Sequence, residues 1–460
     1  MSRLSPDLLR QFDVAGPRYT SYPTADRFVE AFGAAEYGQA LDECALRPAA
    51  QAQPLSLYVH IPFCESVCYY CACNKIVTKQ HGRAATYLRY LEREMAFNTE
   101  RLGRGRTVTQ LHLGGGTPTF LSDDELAQLM AAIRRHFALA AGAECSIEVD
   151  PRTVTSARLQ VLADLGFNRL SFGVQDFDPE VQKAVHRIQP ASDVFALMRA
   201  AREIGFDSIN ADLIYGLPRQ TEASFARTLR QVAELRPDRI ALYGYAHLPE
   251  RFKPQRRIVA ADLPAAADKV AMLTSAIDAF LEAGYDYIGM DHFALPGDAL
   301  AVAKREGRLQ RNFQGYSTQA DCDLIGLGVS AIGRIGATYS QNAKTIEAWC
   351  DLLDQSRLPV ERGLALTRDD LARRAVIMAI MCKGEVLFEA VEASWLLDFG
   401  KYFAAEMRQL EPLRQAGLVE VDERGIRTTA SGWFVVRAIA MVFDRYLQAN
   451  RTRAQFSKIL

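Results

Sequence analysis

Cys64, Cys68, Cys71 and Cys73 fall within ten residues, in the stretch PFCESVCYYCACNK. Thiolates this crowded hold metal, and the x3 and x2 spacing of the first three suits three corners of a cubane iron–sulfur cluster carried on one short loop. That leaves one iron without a protein ligand and open to chemistry, whereas four thiolate ligands make mainly an electron carrier. A four-cysteine zinc site is the chief alternative, and a redox dithiol the other. Structural zinc, however, tends to take its ligands as two separated pairs. No other part of this chain supplies a second pair, because Cys44, Cys145, Cys322, Cys350 and Cys382 are scattered singly.

A second chemical signal is LHLGGGTPT at residues 111–119. Consecutive glycines cost backbone entropy and need a reason, either a positive φ or close approach of a ligand to the main chain. A phosphate loop would need GK[ST] or GxGxxG spacing, and neither is present. Facing a cluster, such a loop would let backbone carbonyls receive an ammonium group. Glu148 sits in an apolar run and must be paired or exposed at its end. His60 has an equal claim to a role near the cysteines and to an ordinary strand-end place. Asp291 and His292 read as structural hydrogen-bond partners.

These residues need a scaffold, and the pattern from residue 55 supplies one. The runs 55–63, 108–116, 146–151, 169–177, 208–217 and 239–249 are short and rich in apolar and β-branched residues. Helical stretches near 84–101, 123–137, 155–165, 178–186, 192–204, 222–235 and 264–283 separate and follow them. Strands spaced by helices of this length predict parallel βαβ units, and six units fall short of a closed eight-fold barrel. Polar or glycine residues recur at the C-terminal ends of the strands: His60 and the cysteines, Gly114–Gly116, Glu148 with Asp150, Gln175, Asp212 and His247. Barrel enzymes build their sites at that edge.

Outside this block the reading is coarser. Residues 1–50 form an N-terminal arm with a short helix around Pro6–Phe12 and the polar-aromatic segment PRYTSYPTA, which suits an arm laid across a site. Residues 287–298 and 311–333, rich in glycine and aromatics, read as site-lining loops within a catalytic domain of 51–360. Residues 361–460 read as a smaller, mostly helical domain with a β-hairpin around Glu423–Gly425 and a helix at 433–448. That order resembles a winged helix, but without excess basic charge it is expected to pack or act as a lid rather than bind DNA.

With 460 residues, 49% of them hydrophobic and 24% charged, the composition is that of a globular enzyme with a large core. A formal net charge of −1 supports neither bulk nucleic-acid binding nor a polybasic membrane surface. The first twenty residues lack an apolar signal core and no window reaches the length of a membrane span, so a cytoplasmic, monomeric protein is expected.

The CxxxCxxC loop at a first strand end, the aromatic Tyr70 before the third cysteine, and a glycine-rich second strand end resemble the radical S-adenosylmethionine enzymes. YVHIPFC, CACNK, GGGTPT, IEVDPR, GVQDF, DLIYGLP, YAHLP, GMDHFA, NFQGY and GVSAI narrow the resemblance to the oxygen-independent coproporphyrinogen III oxidases, over nearly the whole chain. It implies an α/β fold, a three-quarter TIM-like partial barrel of six strand–helix units with a small helical C-terminal domain. It also implies one 4Fe–4S cluster with an open iron, held by Cys64, Cys68 and Cys71, while Cys73 matches a non-ligand cysteine.

Tyr58, Gly115, Glu148 and Ile332 match contacts to the cluster-bound S-adenosylmethionine. Tyr70, Gly116, Thr117, Gln175, Arg187, Asp212 and Ala246 match positions around a second, which is either a cosubstrate or a molecule in part of the porphyrinogen site. Tyr58, Glu148 and Arg187 are the expected catalytic residues, and Arg18 and Arg311 are the expected anchors for substrate propionates. The implied reaction is oxidative decarboxylation of two propionates of coproporphyrinogen III to vinyl groups, fed by a low-potential electron donor and drained by a terminal acceptor. A haem-binding chaperone relative and a radical methyltransferase are the alternatives. The chaperones generally lack the fourth cysteine and the arm, and this chain has both. Tyr70 and Ala72 stand where phenylalanine and glycine are common.

Overall fold

The computed structural model describes residues 15–48, 53–319 and 322–449. The expected helix at Pro6–Phe12 lies outside them. Six parallel strands run in chain order: β1 (Leu55–Ile61), β2 (Thr107–Gly115), β3 (Ala138–Val149), β4 (Arg169–Gln175), β5 (Ser208–Tyr215) and β6 (Arg239–Gly244). Between and after them lie α2 (Gly82–Leu102), α3 (Asp123–His136), α4 (Ser156–Asp164), α5 (Pro179–Ala184), α6 (Ala191–Ile204), α7 (Glu222–Leu235) and α8 (Ala266–Glu282). The caps explain the boundaries. Ser122 and Glu125 form a reciprocal capping box on α3, Thr221 accepts from Ser224 N on α7, and Gly205 ends α6 at φ +98°.

The expected loops after residue 285 are instead strands, and this corrects the sequence reading. β7 (Asp286–Gly289) and β8 (His292–Ala294) add antiparallel to the β6 edge. On the other side β9 (Asp323–Leu327) pairs parallel with β1, and β10 (Ile332–Ile335), β11 (Thr338–Asn342) and β12 (Val360–Ala365) follow antiparallel. The twelve-stranded order is β12-β11-β10-β9-β1-β2-β3-β4-β5-β6-β8-β7. These added strands are three to six residues long, three of them interrupted by glycine (Gly326, Gly333 and Gly363), and carry too little alternation to be read as strands.

Each central strand sends one face outward to the helices and one inward. Leu55, Leu57, Val59 and Ile61 of β1 are fully buried, as are Ile209, Ala211 and Leu213 of β5. The inward positions are polar: His112 on β2, Ser146 and Glu148 on β3, Ser171 on β4, Asn210 and Asp212 on β5. At the far end of this lining an ionic floor closes the barrel. Arg169 pairs with Glu144 (2.5 Å) and donates to Ser208 Oγ (3.2 Å), Ser208 donates to Asp298 (3.0 Å), and Arg239 Nε reaches Asp298 (2.7 Å).

Glu94 of α2 fastens the second half of the sheet to the first. It is 1% exposed and accepts from Gly328 N (2.7 Å), Asn342 Nδ2 (2.6 Å) and Trp349 Nε1 (3.1 Å). Two turns earlier, Tyr87 donates to His60 O (2.7 Å) and accepts from Val329 N (3.0 Å). The arm is more ordered than a plain extension: α1 (Ala34–Ala45) packs beside α2, and Val29 bridges to Gly363 of β12. Farther toward the N-terminus the arm threads between the barrel edge and the C-terminal elements. Tyr19 donates to Asp444 (3.0 Å), and Arg437 Nε to Pro17 O (2.8 Å).

After α9 (Arg368–Lys383), the hairpin Val419–Val421 and Gly425–Thr428 gains a third strand, Glu385–Leu387, which the sequence reading missed. The expected helix at 433–448 is broken into Gly432–Val435, Val436–Met441 and Arg445–Ala449. Asp444 is the cause. Its carboxylate accepts from Tyr446 N (2.9 Å) and Leu447 N (3.0 Å), capping a new helix start where the old one would have continued. No helix among the described residues is long and apolar enough to cross a membrane.

Candidate active site

The C-terminal ends of β1 to β6 open into a cavity of about 420 Å³, lined by Cys64, Cys68, Cys71 and Cys73 at one end and by Tyr243, His292 and Tyr316 at the other. Of the residues expected from sequence, Tyr70, Gly115, Gly116, Thr117, Glu148, Gln175, Arg187 and Asp212 also line it. Tyr58, Ile332, Ala246, Arg18 and Arg311 are not among its lining residues.

The cysteine loop is pinned at both ends. Ile76 N donates to Pro62 O (2.7 Å) and Thr78 N to Cys64 O (2.9 Å). Donors converge on the sulfurs: Thr117 Oγ1 on Cys64 (3.4 Å), Arg187 Nη1 and Arg152 Nη2 on Cys68 (3.5 and 3.6 Å), and Cys73 N on Cys71 (3.5 Å). Burial pushes the Cys64 thiol up to about 11, while hydrogen bonding from Cys73 and the Lys75 charge pull Cys71 down to about 6 despite burial. Three thiols on one cavity wall, with cationic and hydroxyl donors on their sulfurs, fit anionic thiolate ligands to a cluster. Among the described residues no three His, Cys, Asp or Glu side chains converge as ligands of a single metal ion.

Gly115 and Gly116 have separate reasons. Gly115 holds φ +114°, and a Cβ there would meet the His60 ring at 2.5 Å. At Gly116 a Cβ would meet the backbone of Pro62 and Phe63 at 2.8 Å, so only glycine lets β2 cross behind the cysteine loop.

Glu148 is anchored at the cavity rim by Gly115 N (3.0 Å) and His112 Nε2 (3.4 Å). Burial raises its pKa, but the His112 hydrogen bond and charge and the Gly115 N–H outweigh that, so the carboxyl sits below its ordinary range. Asp212 behaves oppositely. Burial and the Glu148 charge push it up to about 6, against hydrogen bonds from Ser171 Oγ and Asn210 Nδ2 (both 2.9 Å). The cavity therefore presents a fixed carboxylate and a second carboxyl that a cation would ionise.

Tyr58 stacks with His112 (5.9 Å between ring centres) and donates its hydroxyl to His60 Nδ1 (3.0 Å). The tautomer follows from the other ring nitrogen, since Asn74 O can only accept and so takes the Nε2 proton (3.0 Å). Burial holds His60 neutral by lowering its pKa. Gly326 of β9 pairs with Tyr58, and a Cβ at Gly326 would meet Ile332 O at 2.6 Å, which sets Ile332 one strand from Tyr58. Ala246 O and Tyr70 O both accept from the buried Gln255 Nε2 (3.2 and 3.0 Å).

Arg187 is 7% exposed and binds Asp150 Oδ2 (3.2 Å) and Gly173 O (2.6 Å) besides Cys68. Asp150 also takes Arg152 (2.6 Å). The Asp150–Arg152 pair supports the loop; Asp150 stood out in the sequence as a polar strand end, whereas Arg152, in the same IEVDPR run, did not. At the opposite end Arg18 lies over the Tyr243 ring (5.3 Å) and Arg311 over Tyr316 (4.5 Å), and Arg311 Nε donates to Arg18 O (3.2 Å). Asp291, expected to be structural, is the ion-pair partner of Arg18. Arg311 Nη1 and His292 Nδ1 are buried without a partner, and burial with the two arginine charges lowers the His292 pKa to about 3.

Comparison with known proteins supplies the remaining observations. The Radical SAM superfamily model matches residues 58–232 and the HemN C-terminal domain model matches 366–435. The chain is 50% identical over 460 residues to an oxygen-independent coproporphyrinogen III oxidase of Pseudomonas aeruginosa, covering 100% of this chain and 99% of that one. The Escherichia coli protein of the same description is 50% identical over 453 residues, covering 98% of each chain. The solved structure of coproporphyrinogen III oxidase (HemN) from Escherichia coli, described as a radical SAM enzyme, superposes with a TM-score of 0.92 over 97% of this chain and 100% of that one.

Proposed function

Because the chain belongs to the oxygen-independent coproporphyrinogen III oxidases of the radical SAM superfamily, we infer that its cavity oxidatively decarboxylates two propionates of coproporphyrinogen III, giving protoporphyrinogen IX. The observation that carries this reading is the polarity of the cavity, with thiols at one end and arginines beyond the other. A 4Fe–4S cluster with S-adenosylmethionine, when bound, supplies an acceptor strong enough to take a hydrogen atom from an unactivated C–H bond.

The chain does the rest by position. Cys64, Cys68 and Cys71 would hold the cluster, with Arg152 and Arg187 offsetting thiolate charge at Cys68. Glu148, already ionised and fixed by Gly115 N–H, suits ribose hydroxyls, and the glycine strand end offers main-chain atoms to an amino acid head group. Tyr58 and Ile332, one strand apart, suit the adenine. Tyr70, Gln175, Arg187 and Asp212 leave room and charge for a second S-adenosylmethionine, whose cationic groups would find Asp212. If so, its binding weakens as pH falls below about 6, where Asp212 takes up a proton, and Asp212→Asn should make a calorimetric titration at pH 5.5 and 7.5 give the same affinity.

Arg18 and Arg311 would seat propionates at the far end. Arg311 has an unpaired buried donor, the condition a carboxylate relieves. Arg311→Ala is expected to raise KM for coproporphyrinogen III by about tenfold or more, the worth of a charge-assisted hydrogen bond, and Arg18→Ala to act alike. An unchanged KM in both would remove them from the substrate site. The reaction itself is tested anaerobically with reconstituted protein, dithionite, S-adenosylmethionine and coproporphyrinogen III. Mass spectrometry should show loss of two carboxyl groups, and cleavage of S-adenosylmethionine without that loss would defeat the substrate assignment.

A further inference from the structure

Residues 248–259, LPERFKPQRRIV, carry Arg251, Lys253, Arg256 and Arg257, all exposed, against one acid, Glu250. Among the described residues no carboxylate forms an ion pair with any of the four. Glu180 and Asp262, on neighbouring elements, are both engaged by Arg219. For a chain of net charge −1, this is a local concentration of unpaired positive charge.

Its place in the fold gives that charge meaning. Gln255, 1% exposed, ties the segment to the cysteine loop by donating to Tyr70 O (3.0 Å). The Arg257 guanidinium lies 5.3 Å from the centre of the Tyr69 ring, and that ring stacks on His186 at 5.1 Å and 8°. Tyr69 N in turn donates to Val185 O (2.9 Å). Tyr69 and Tyr70 are the two residues between Cys68 and Cys71, so the patch sits directly outside the thiols that face the cavity. Leu248, Ile188 and Val259 add exposed apolar side chains, 41%, 65% and 59% accessible. Arginine and aromatic side chains beside small apolar groups are the composition of a protein-docking face.

We propose that this surface docks an acidic one-electron carrier protein, which delivers its electron to the cysteine loop across Tyr69 and Tyr70. The inference rests on the cluster reading of that loop. Per encounter the carrier loses one electron and the cluster gains one; no bond is made. Basic side chains orient the acidic partner, the small apolar centre excludes water, and a transient interface of this kind dissociates quickly enough for repeated delivery.

The test uses reconstituted full-length protein and an acidic flavodoxin in its hydroquinone state. Arg251, Lys253 and Arg256 are replaced together by glutamate; none of them contacts the cavity. At low ionic strength the triple variant should be reduced by flavodoxin at least about tenfold more slowly, with a Kd for flavodoxin raised by a similar factor and no longer weakened by added salt. Iron content and reduction by dithionite should be unchanged. Unaltered flavodoxin kinetics would overturn the proposal, as would an equal slowing with dithionite, which marks a damaged loop. Binding of the unmodified protein, but not the variant, to phosphatidylglycerol vesicles with no change in flavodoxin kinetics would reassign the patch to a membrane surface. If the unmodified protein forms no reducible cluster by electron paramagnetic resonance, the cluster reading falls and the docking proposal with it.

Discussion

Replacing Cys68 by alanine is expected to leave a folded protein that assembles no 4Fe–4S cluster and has lost decarboxylation by a factor on the order of a thousand or more. The thiol faces the cavity rather than the core, and its polar contacts among the described residues are Arg187 Nη1 and Arg152 Nη2. Removing it costs little packing. Both guanidiniums keep Asp150, so neither is stranded. The expected signature is an unchanged circular dichroism melt together with loss of iron and of visible absorbance. Cys73→Ala should separate from it: the Cys73 thiol's hydrogen bond to Cys71 is lost, but the backbone N–H that also reaches that sulfur is retained and the three expected ligands remain. Equal iron loss in both variants would make Cys73 a ligand and revise the set of three.

Glu94→Ala is expected to destabilise the fold by roughly 3–5 kcal/mol, since it strands three buried donors at about 1–3 kcal/mol each with partial relaxation. Gly328 N, Asn342 Nδ2 and Trp349 Nε1 come from three separate elements, so the loss falls on the junction between the two halves of the sheet. The same residue has a pH signature. Burial raises its pKa to about 7 against three hydrogen bonds that lower it, whereas the unfolded chain titrates near 4.5. Between those values the folded state retains a proton that the unfolded state has released. Stability therefore falls as pH rises from about 4.5 to 7, by about 3 kcal/mol from this group, and levels off above. Glu94→Gln, neutral and of the same shape, should flatten that slope in urea titrations at pH 5 and pH 7. A slope unchanged by Glu94→Gln would show that the carboxyl does not titrate in this window.

The sequence announced the six strand–helix units because each pairs a β-branched run with a helix of the right length, and the row of polar strand ends followed from that register. The thiols, Gly115, Gly116, Glu148, Gln175 and Asp212 stood out at strand ends, whereas Arg187, after a short helix, was assigned only through the family resemblance; the structure brings them all to one cavity. The flanking strands were hidden because β8 and β10 are three and four residues long and lie in glycine-rich stretches. The polar inner face was also overlooked. Gln110 and His112, Glu144 and Ser146, Arg169 and Ser171, and Ser208 and Asn210 alternate with apolar residues at a period of two, which is a lining signature for a barrel that is filled by ligand rather than by side chains. Glu94 could not be recognised from an amphipathic helix, since its partners arrive from more than two hundred residues away. Arg18 and Asp291 are likewise brought together only by the tertiary fold.

The threading of the arm has a consequence for how the protein is made. Tyr19 closes on Asp444 across 425 residues of sequence, and Pro17 O on Arg437 across 420. The arm residues must wait for partners that are made 420 or more residues later, while the six strand–helix units between them close over short separations and form as they emerge. A nascent chain would thus pass through a stage with the thiol loop built and the opposite wall, where Arg18 belongs, still missing. While that stage lasts, the ion pair of Arg18 with Asp291 is unmade and the far end of the cavity stays open.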